Sequence, residues 1–330
     1  MSEKPASCVG CPLFPAPGPV PGDGLPSSDG WLIGEAPTAT EVVMGKAIAG
    51  GAGGLLNDQL ARAGRPRGLW YADNIVKCQP PGDRAPTSGE IEHCTRTQLL
   101  PLAEAYRPKM IVPLGAAASG VFTGISKIKS IAGYVYTYKS PTTDYSTTIV
   151  PVVDPAGVMR TVIAPTVSQT HYRKIVQLLE GKIEVLADPR MIDRTEFAQL
   201  LLERKYFTLD IETDARPFFE AGLTCLGVGW KDAVWSLYPP WDLTDLQYLI
   251  EALRNPEYAV RGHNIHYDIT VLRSMGIEVD GVFEDSIVLH HAGYAELPHA
   301  LGFVGSLYLT CREWKSMMRG PKGTKETDTK

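Results

Sequence analysis

Four of the six cysteines fall into two pairs: Cys8 and Cys11 as C-x-x-C in a proline-rich leader, and Cys78 and Cys94 with fifteen residues between them. Two such pairs suggest one metal centre, which would hold a distant N-terminus onto the connection Asn74–Cys94. A second chemistry is written at Asp210-Ile211-Glu212. Side chains alternate along a strand, so acids at i and i+2 point to one side. Strand interiors disfavour that pairing, and a hard divalent cation, Mg2+ or Mn2+, accounts for it. Asn264-x3-Asp268 adds a further acid one turn into a helix.

The totals bound what these residues can serve. A chain of 330 residues has room for two domains, each with its own core. No apolar run approaches the roughly 18–20 residues that span a bilayer, and MSEKPASC does not have the layout of a signal peptide. The expectation is an intracellular, cytoplasmic protein with no membrane partner. In a reducing compartment its cysteines serve as metal ligands or free thiols. Residues 1–180 carry a net charge of +2 and residues 181–330 a net −7. That excludes a basic nucleic-acid coat, so any nucleic-acid contact must come from local grooves or bound metal.

The elements that must position these groups alternate. A strand at Trp31–Ile33 breaks into Gly34-Glu35-Ala36-Pro37. The glycine-rich segment Gly45–Gly54 leads to an amphipathic helix over LLNDQLARAG. A strand at Leu69–Val76 follows, then a helix after the Thr87/Glu90 capping-box spacing, a buried strand Met110–Leu114 and a helix opened by Gly115. β-like segments at Tyr134–Tyr138 and Thr147–Val153 precede Asp154-Pro155-Ala156-Gly157, and a last helix closes near Gly181. This is an α/β sheet with its functional loops at the carboxyl ends of strands. After a junction, residues 182–205, with a strand-like piece at Ile183–Leu186 and a helix Arg194–Arg204, come strands at Tyr206–Thr213, Leu223–Trp230 and Ala233–Tyr238. A helix, a strand ending at Gly262-His263-Asn264 and the helix bearing Asp268 complete the pattern.

GEAP, then GKAIAGGAG, then N-I-V-K-C, C-x15-C and PLGA, in that order over roughly residues 5–180, resemble the family 4 uracil-DNA glycosylases, the iron–sulfur members of their superfamily. The resemblance implies a three-layer α/β/α domain over 1–181, with a [4Fe–4S] cluster on Cys8, Cys11, Cys78 and Cys94; zinc on the same thiols is the alternative. It implies that uracil is flipped out of DNA and its N-glycosidic bond hydrolysed. Glu35 would lie near the sugar or attacking water, in a turn made with Gly34, Ala36 and Pro37. Asn74 would pair with the uracil edge, and Gly50–Gly53 would admit the backbone to phosphates at a helix N-terminus. The cluster would be mainly structural, its cysteines in loops away from Asn74. Two positions depart from the family. Ile48 stands where a phenylalanine stacks on the base, and base–aromatic stacking is worth roughly 1–3 kcal/mol. Asp154 opens the late motif in place of histidine, and an ionised aspartate repels the departing uracil anion where histidine would donate. Asp154 could position water or stabilise a cationic sugar instead. A degenerate uracil- or DNA-binding module is the alternative function.

D-x-E followed by G-H-N-I-H-Y-D, with FEDSIVLHHAGYAELPHALGFVGSLYL further on, resembles the DEDD proofreading 3′–5′ exonuclease domain of family A DNA polymerases. That implies a mixed, ribonuclease H-like sheet over 206–319, with Asp210, Glu212 and Asp268 as metal ligands. The third motif, Y-x3-D, is missing from this chain. A weak or inactive exonuclease is therefore expected, lacking its C-terminal part, before a disordered tail at 320–330. The resemblance implies either a piece of a phage-type polymerase or a gene product shortened at that point, in a bacterial or phage-infected cell, with DNA and a polymerase domain or replication proteins as partners.

Overall fold

A computed structural model describes residues 4–214, 216 and 220–313. Two compact units divide them. Residues up to Leu186 together with those from Gly305 form the first, and Ala187–Val304 the second. The expected tail at 320–330 lies outside the described residues. Among the described residues no helix is long and apolar enough to cross a membrane.

The first unit is built on a sheet of order β2-β1-β3-β5-β4: β1 (Gly30–Gly34), β2 (Tyr71–Asn74), β3 (Met110–Pro113), β4 (Tyr136–Lys139) and β5 (Ser146–Ile149). The β1, β2, β3 and β5 strands run parallel and β4 antiparallel to β5. Every residue of β1, β2 and β3 is buried, as expected where helices cover both faces of parallel strands. One core gathers Trp31, Ile33, Ile111 and Phe122; another gathers Leu32, Leu56, Val112, Tyr172 and Ile175. The helices are α1 (Ala39–Met44), α2 (Gly50–Arg62), α3 (Ser88–Cys94), α4 (Leu100–Tyr106), α5 (Ala116–Thr123), α6 (Ile128–Ile131), α7 (Pro155–Met159) and α8 (Pro165–Leu179). A π-helical turn, Thr95–Leu99, joins α3 to α4.

The second unit holds a mixed sheet of order β11-β10-β7-β8-β9-β6. Its elements are β6 (Arg190–Met191), α9 (Arg194–Glu203), β7 (Tyr206–Thr213), β8 (Leu223–Gly229), β9 (Ala233–Leu237), α10 (Leu243–Arg254), β10 (Ala259–Gly262), α11 (Ile265–Ser274), β11 (Val282–Asp285), α12 (Ser286–Gly293) and α13 (Leu301–Tyr308), the last crossing the boundary between units. An antiparallel β7-β8-β9 meander, with β10 and β11 added parallel beside β7, is a ribonuclease H-like arrangement. The chain is thus a two-domain α/β protein.

Several elements differ from the sequence reading. The α2 helix begins at Gly50 rather than Leu55, and glycine in its first turn allows close packing: a Cβ on Gly53 would lie 2.4 Å from the Ile48 carbonyl oxygen. Ile183–Leu186 forms no strand. Residues 190–203, read as a junction, supply β6 and α9, and Phe197, Leu200 and Leu201 enter the second unit's core. Residues 305–313, read as the end of the exonuclease-like domain, pack with the first unit.

Candidate functional site

The switch point of the first sheet lies at β1, whose two neighbours are reached in opposite directions. In such sheets ligands bind beyond the carboxyl ends of the strands. An open cleft of about 590 Å3 occupies that place, lined by Gly34, Glu35, Glu41, Ile48, Gly50, Asn74, Gly115 and Asp154 among others. Of the residues singled out in the sequence, Gly34, Glu35, Ile48, Gly50, Asn74 and Asp154 meet here, whereas Ala36, Pro37 and Gly53 do not line it. Gly53 instead lets α2 approach Ile48.

Asn74 ends β2 at the cleft, 3% exposed, and its Nδ2 is buried with no hydrogen-bond partner. Its Oδ1 lies against Gly34, where an added Cβ would sit 2.3 Å away. Only glycine fits beneath this amide. Asp73, fully buried, braces the turn: it accepts from the Tyr71 hydroxyl (2.7 Å) and the Asn74 N–H (2.8 Å) and pairs with Lys77.

Across the cleft, Ile48 adopts φ +52°, which is costly for a β-branched residue. Buried Glu41 holds it there, accepting from the Ile48 N–H, from the Thr38 N–H (2.8 Å) and from the Thr38 hydroxyl (2.9 Å). Arg67 donates to the carbonyls of Ala47 (3.0 Å) and Ile48 (3.4 Å) and to Asp23 (3.2 Å). Glu41, Arg67 and Asp73 were missed in the sequence. The Thr38-x-x-Glu41 spacing, a capping-box pattern, could have pointed to the first; nothing local marks the other two.

Asp154 caps α7, accepting from the Gly157 N–H at 2.7 Å, with the Arg160 guanidinium 3.9 Å away. Burial and the nearby Asp154 charge push the Glu35 carboxyl above its ordinary range. Glu35, Glu41 and Asp154 thus bring three carboxylates to the cleft, and Asp154 is the one that stands where the family motif has histidine.

Cys8, Cys11, Cys78 and Cys94 surround a second, much narrower cavity of about 10 Å3, with Lys4, Val76 and His93 also in its wall. All four are free thiols, Cys78 and Cys94 buried. Burial pushes the Cys94 thiol up to about 11 and raises Cys8 and Cys78. The Lys77 N–H donates to the Cys94 sulfur at 3.3 Å, and the Gln98 amide approaches the Cys8 sulfur at 3.9 Å. Among the described residues no three His, Cys, Asp or Glu side chains close on one point as ligands of a single ion. The four thiols line one cavity, a donor set of the kind that holds either a zinc ion or an iron–sulfur cluster. Contrary to the sequence reading, Cys94 is not in a loop; it ends α3, where the helix widens into its π turn.

In the second unit Asp210 and Glu212 lie on the exposed face of β7, while Asp268 is buried and accepts from the Ile211 N–H at 2.9 Å. Burial, with Asp210 and Asp285 nearby, lifts the Asp268 carboxyl to about 6. Asp285 is committed to the backbone N–H groups of Asn264 and Ile287. The acids are neighbours, but among the described residues they do not close into a single-ion site. The expected Mg2+ or Mn2+ finds no support in this geometry.

A profile of the Uracil DNA glycosylase superfamily matches residues 21–180. The type-4 uracil-DNA glycosylase of Archaeoglobus fulgidus is 39% identical over 125 residues, covering 36% of this chain and 61% of that protein; the chain thus spans about three fifths of that relative. The type-4 enzyme of Saccharolobus solfataricus is 30% identical over 189 residues, covering 55% of this chain and 86% of that protein. Among solved structures, Escherichia coli RNase D aligns at 14% identity over 42% of this chain and 39% of its own, with a TM-score of 0.32, too slight a likeness to bear on function.

Proposed function

The chain belongs to the uracil-DNA glycosylase superfamily, with type-4 enzymes among its relatives, and from that premise we propose that its first unit excises uracil from DNA. One observation carries the reading: the Asn74 Nδ2 is a buried donor without a partner at the cleft. Such a group costs free energy unless a ligand satisfies it. Uracil presents a carbonyl oxygen beside an N–H, which match the Asn74 donor and acceptor; cytosine presents the reverse order and would leave both unmet. Gly34 leaves room for the side-chain amide, Asp73 holds the Asn74 backbone N–H, and Ile48 offers apolar surface to the flipped base.

Hydrolysis requires water at the sugar carbon as the base departs with its bonding electrons. Glu35 accepts the proton of that water, and the Asp154 carboxylate stabilises the cationic sugar. Cys8, Cys11, Cys78 and Cys94 would hold a [4Fe–4S] cluster, whose contribution is to clamp the leader onto the segment that carries Asn74. Incubation of excess protein with an oligonucleotide bearing one uracil, followed by alkaline cleavage, is expected to reveal an abasic site. Binding without abasic sites would sink the proposal. It would favour the second reading, a uracil- or DNA-binding module, which draws on the Asp154 carboxylate standing where a donor to the uracil anion is needed.

For the second unit we infer a 3′–5′ exonuclease-like role on DNA beside a polymerase or other replication proteins, with little activity from this chain. The alignment of Asp210 and Glu212 on one face supports the lineage. A 3′-labelled strand incubated with Mg2+ or Mn2+ should remain largely intact, and rapid digestion would overturn the expectation.

A further inference from the structure

The Lys4 ammonium, in the leader four residues before Cys8, collects three main-chain carbonyls: Leu13 (3.0 Å), Phe14 and Ala16 (2.6 Å). It lies 5.5 Å over the Phe14 ring and lines the same cavity as Cys8, Cys11, Cys78 and Cys94. The three carbonyls are neutral, so they orient the ammonium without cancelling its charge. They also belong to the turn that follows Cys11, which ties both ends of the C-x-x-C segment to one cation.

We propose that Lys4 is a positioning residue for the four-thiol centre, fixing the turn after Cys11 and setting a positive charge against the Cys8 and Cys78 sulfurs. The inference rests on the iron–sulfur reading of that centre. Four thiolates make a [4Fe–4S] centre net negative, and its potential responds to nearby charge and to hydrogen bonds at sulfur. A cation in the wall of the centre favours the reduced form and opposes loss of iron. The uncharged donors Lys77 N–H and Gln98 work on Cys94 and Cys8 in the same sense.

The test uses the full chain and the substitutions Lys4→Gln, Lys4→Leu and Lys4→Arg. Iron and zinc content are measured first, then the midpoint potential and the half-time of bleaching by EDTA. Lys4→Gln keeps an amide donor for the carbonyls but removes the charge. We expect it and Lys4→Leu to shift the potential to more negative values and to bleach several-fold faster, with Lys4→Arg close to the unsubstituted protein. If Lys4→Gln does not load iron while Lys4→Arg does, that loss also supports the role. An unchanged potential in Lys4→Gln and Lys4→Leu overturns it, because a merely structural lysine would alter bleaching alone. Zinc without iron in the unsubstituted chain overturns the cluster reading itself, a result distinct from a failure of Lys4.

Discussion

At the residue scale the site is a set of constraints on three side chains. Asn74 is argued from its unmet donor, so Asn74→Ala should leave thermal stability nearly unchanged while lowering uracil excision by about 100-fold, since a group hydrogen-bonded to the base contributes about 1–3 kcal/mol. Parallel assays on uracil and cytosine oligonucleotides check this, and the preference between them should collapse. Ile48 carries a penalty twice over: a β-branched side chain at positive φ and no π face for the base. Ile48→Phe removes the branching and restores a stacking surface, so excision should rise by about 5- to 100-fold. Glu35 has its carboxyl raised by burial and then by Asp154. As a base it works only when ionised, so excision should increase with pH through that raised value. In Asp154→Asn the repulsion is gone, and the acid limb of the pH–rate profile should move to lower pH.

At the element scale, two glycines do what no side chain could. Gly34→Ala would drive a methyl into the Asn74 amide at the end of β1, so excision should fall while the Tm changes little, because the amide rather than the sheet must move. Much of this architecture was legible. β1, β3, α3 and β7 stand where alternation, apolar runs and the capping box put them. The start of α2 was not, since glycines read as loop, and only the fold shows that Gly53 is there for its close approach to Ile48. Of the site, Glu35, Asn74, Ile48 and Asp154 could be read from motif order. Glu41, Arg67 and Asp73 could not, because each acts through a fold-dependent contact: Arg67 reaches Asp23 across 44 residues of sequence.

At the scale of the whole molecule, the boundaries were the least legible feature, because a segment's allegiance depends on what it packs against. Residues 305–313 return to the first unit: the Val135 N–H donates to the Cys311 carbonyl (3.0 Å), and the Thr310 hydroxyl to the Glu184 carbonyl (2.7 Å). Lys174, 3% exposed, donates to the carbonyls of Ser306 and Leu309, and burial pulls its ammonium down to about 7. Its folded value is thus below its unfolded one of about 10. The unfolded chain binds the extra proton between those values, so this lysine's contribution to stability rises with pH from about 7 to about 10. The Tm difference between the unsubstituted protein and Lys174→Met, followed across that range, should move in favour of lysine as pH increases. The same returning segment makes the second unit an insertion, entered near residue 187 and left near 304, with each flank anchored in the first unit. A protease that nicks one flank therefore releases nothing: the two fragments should migrate as one species on a native gel and separate only in denaturant.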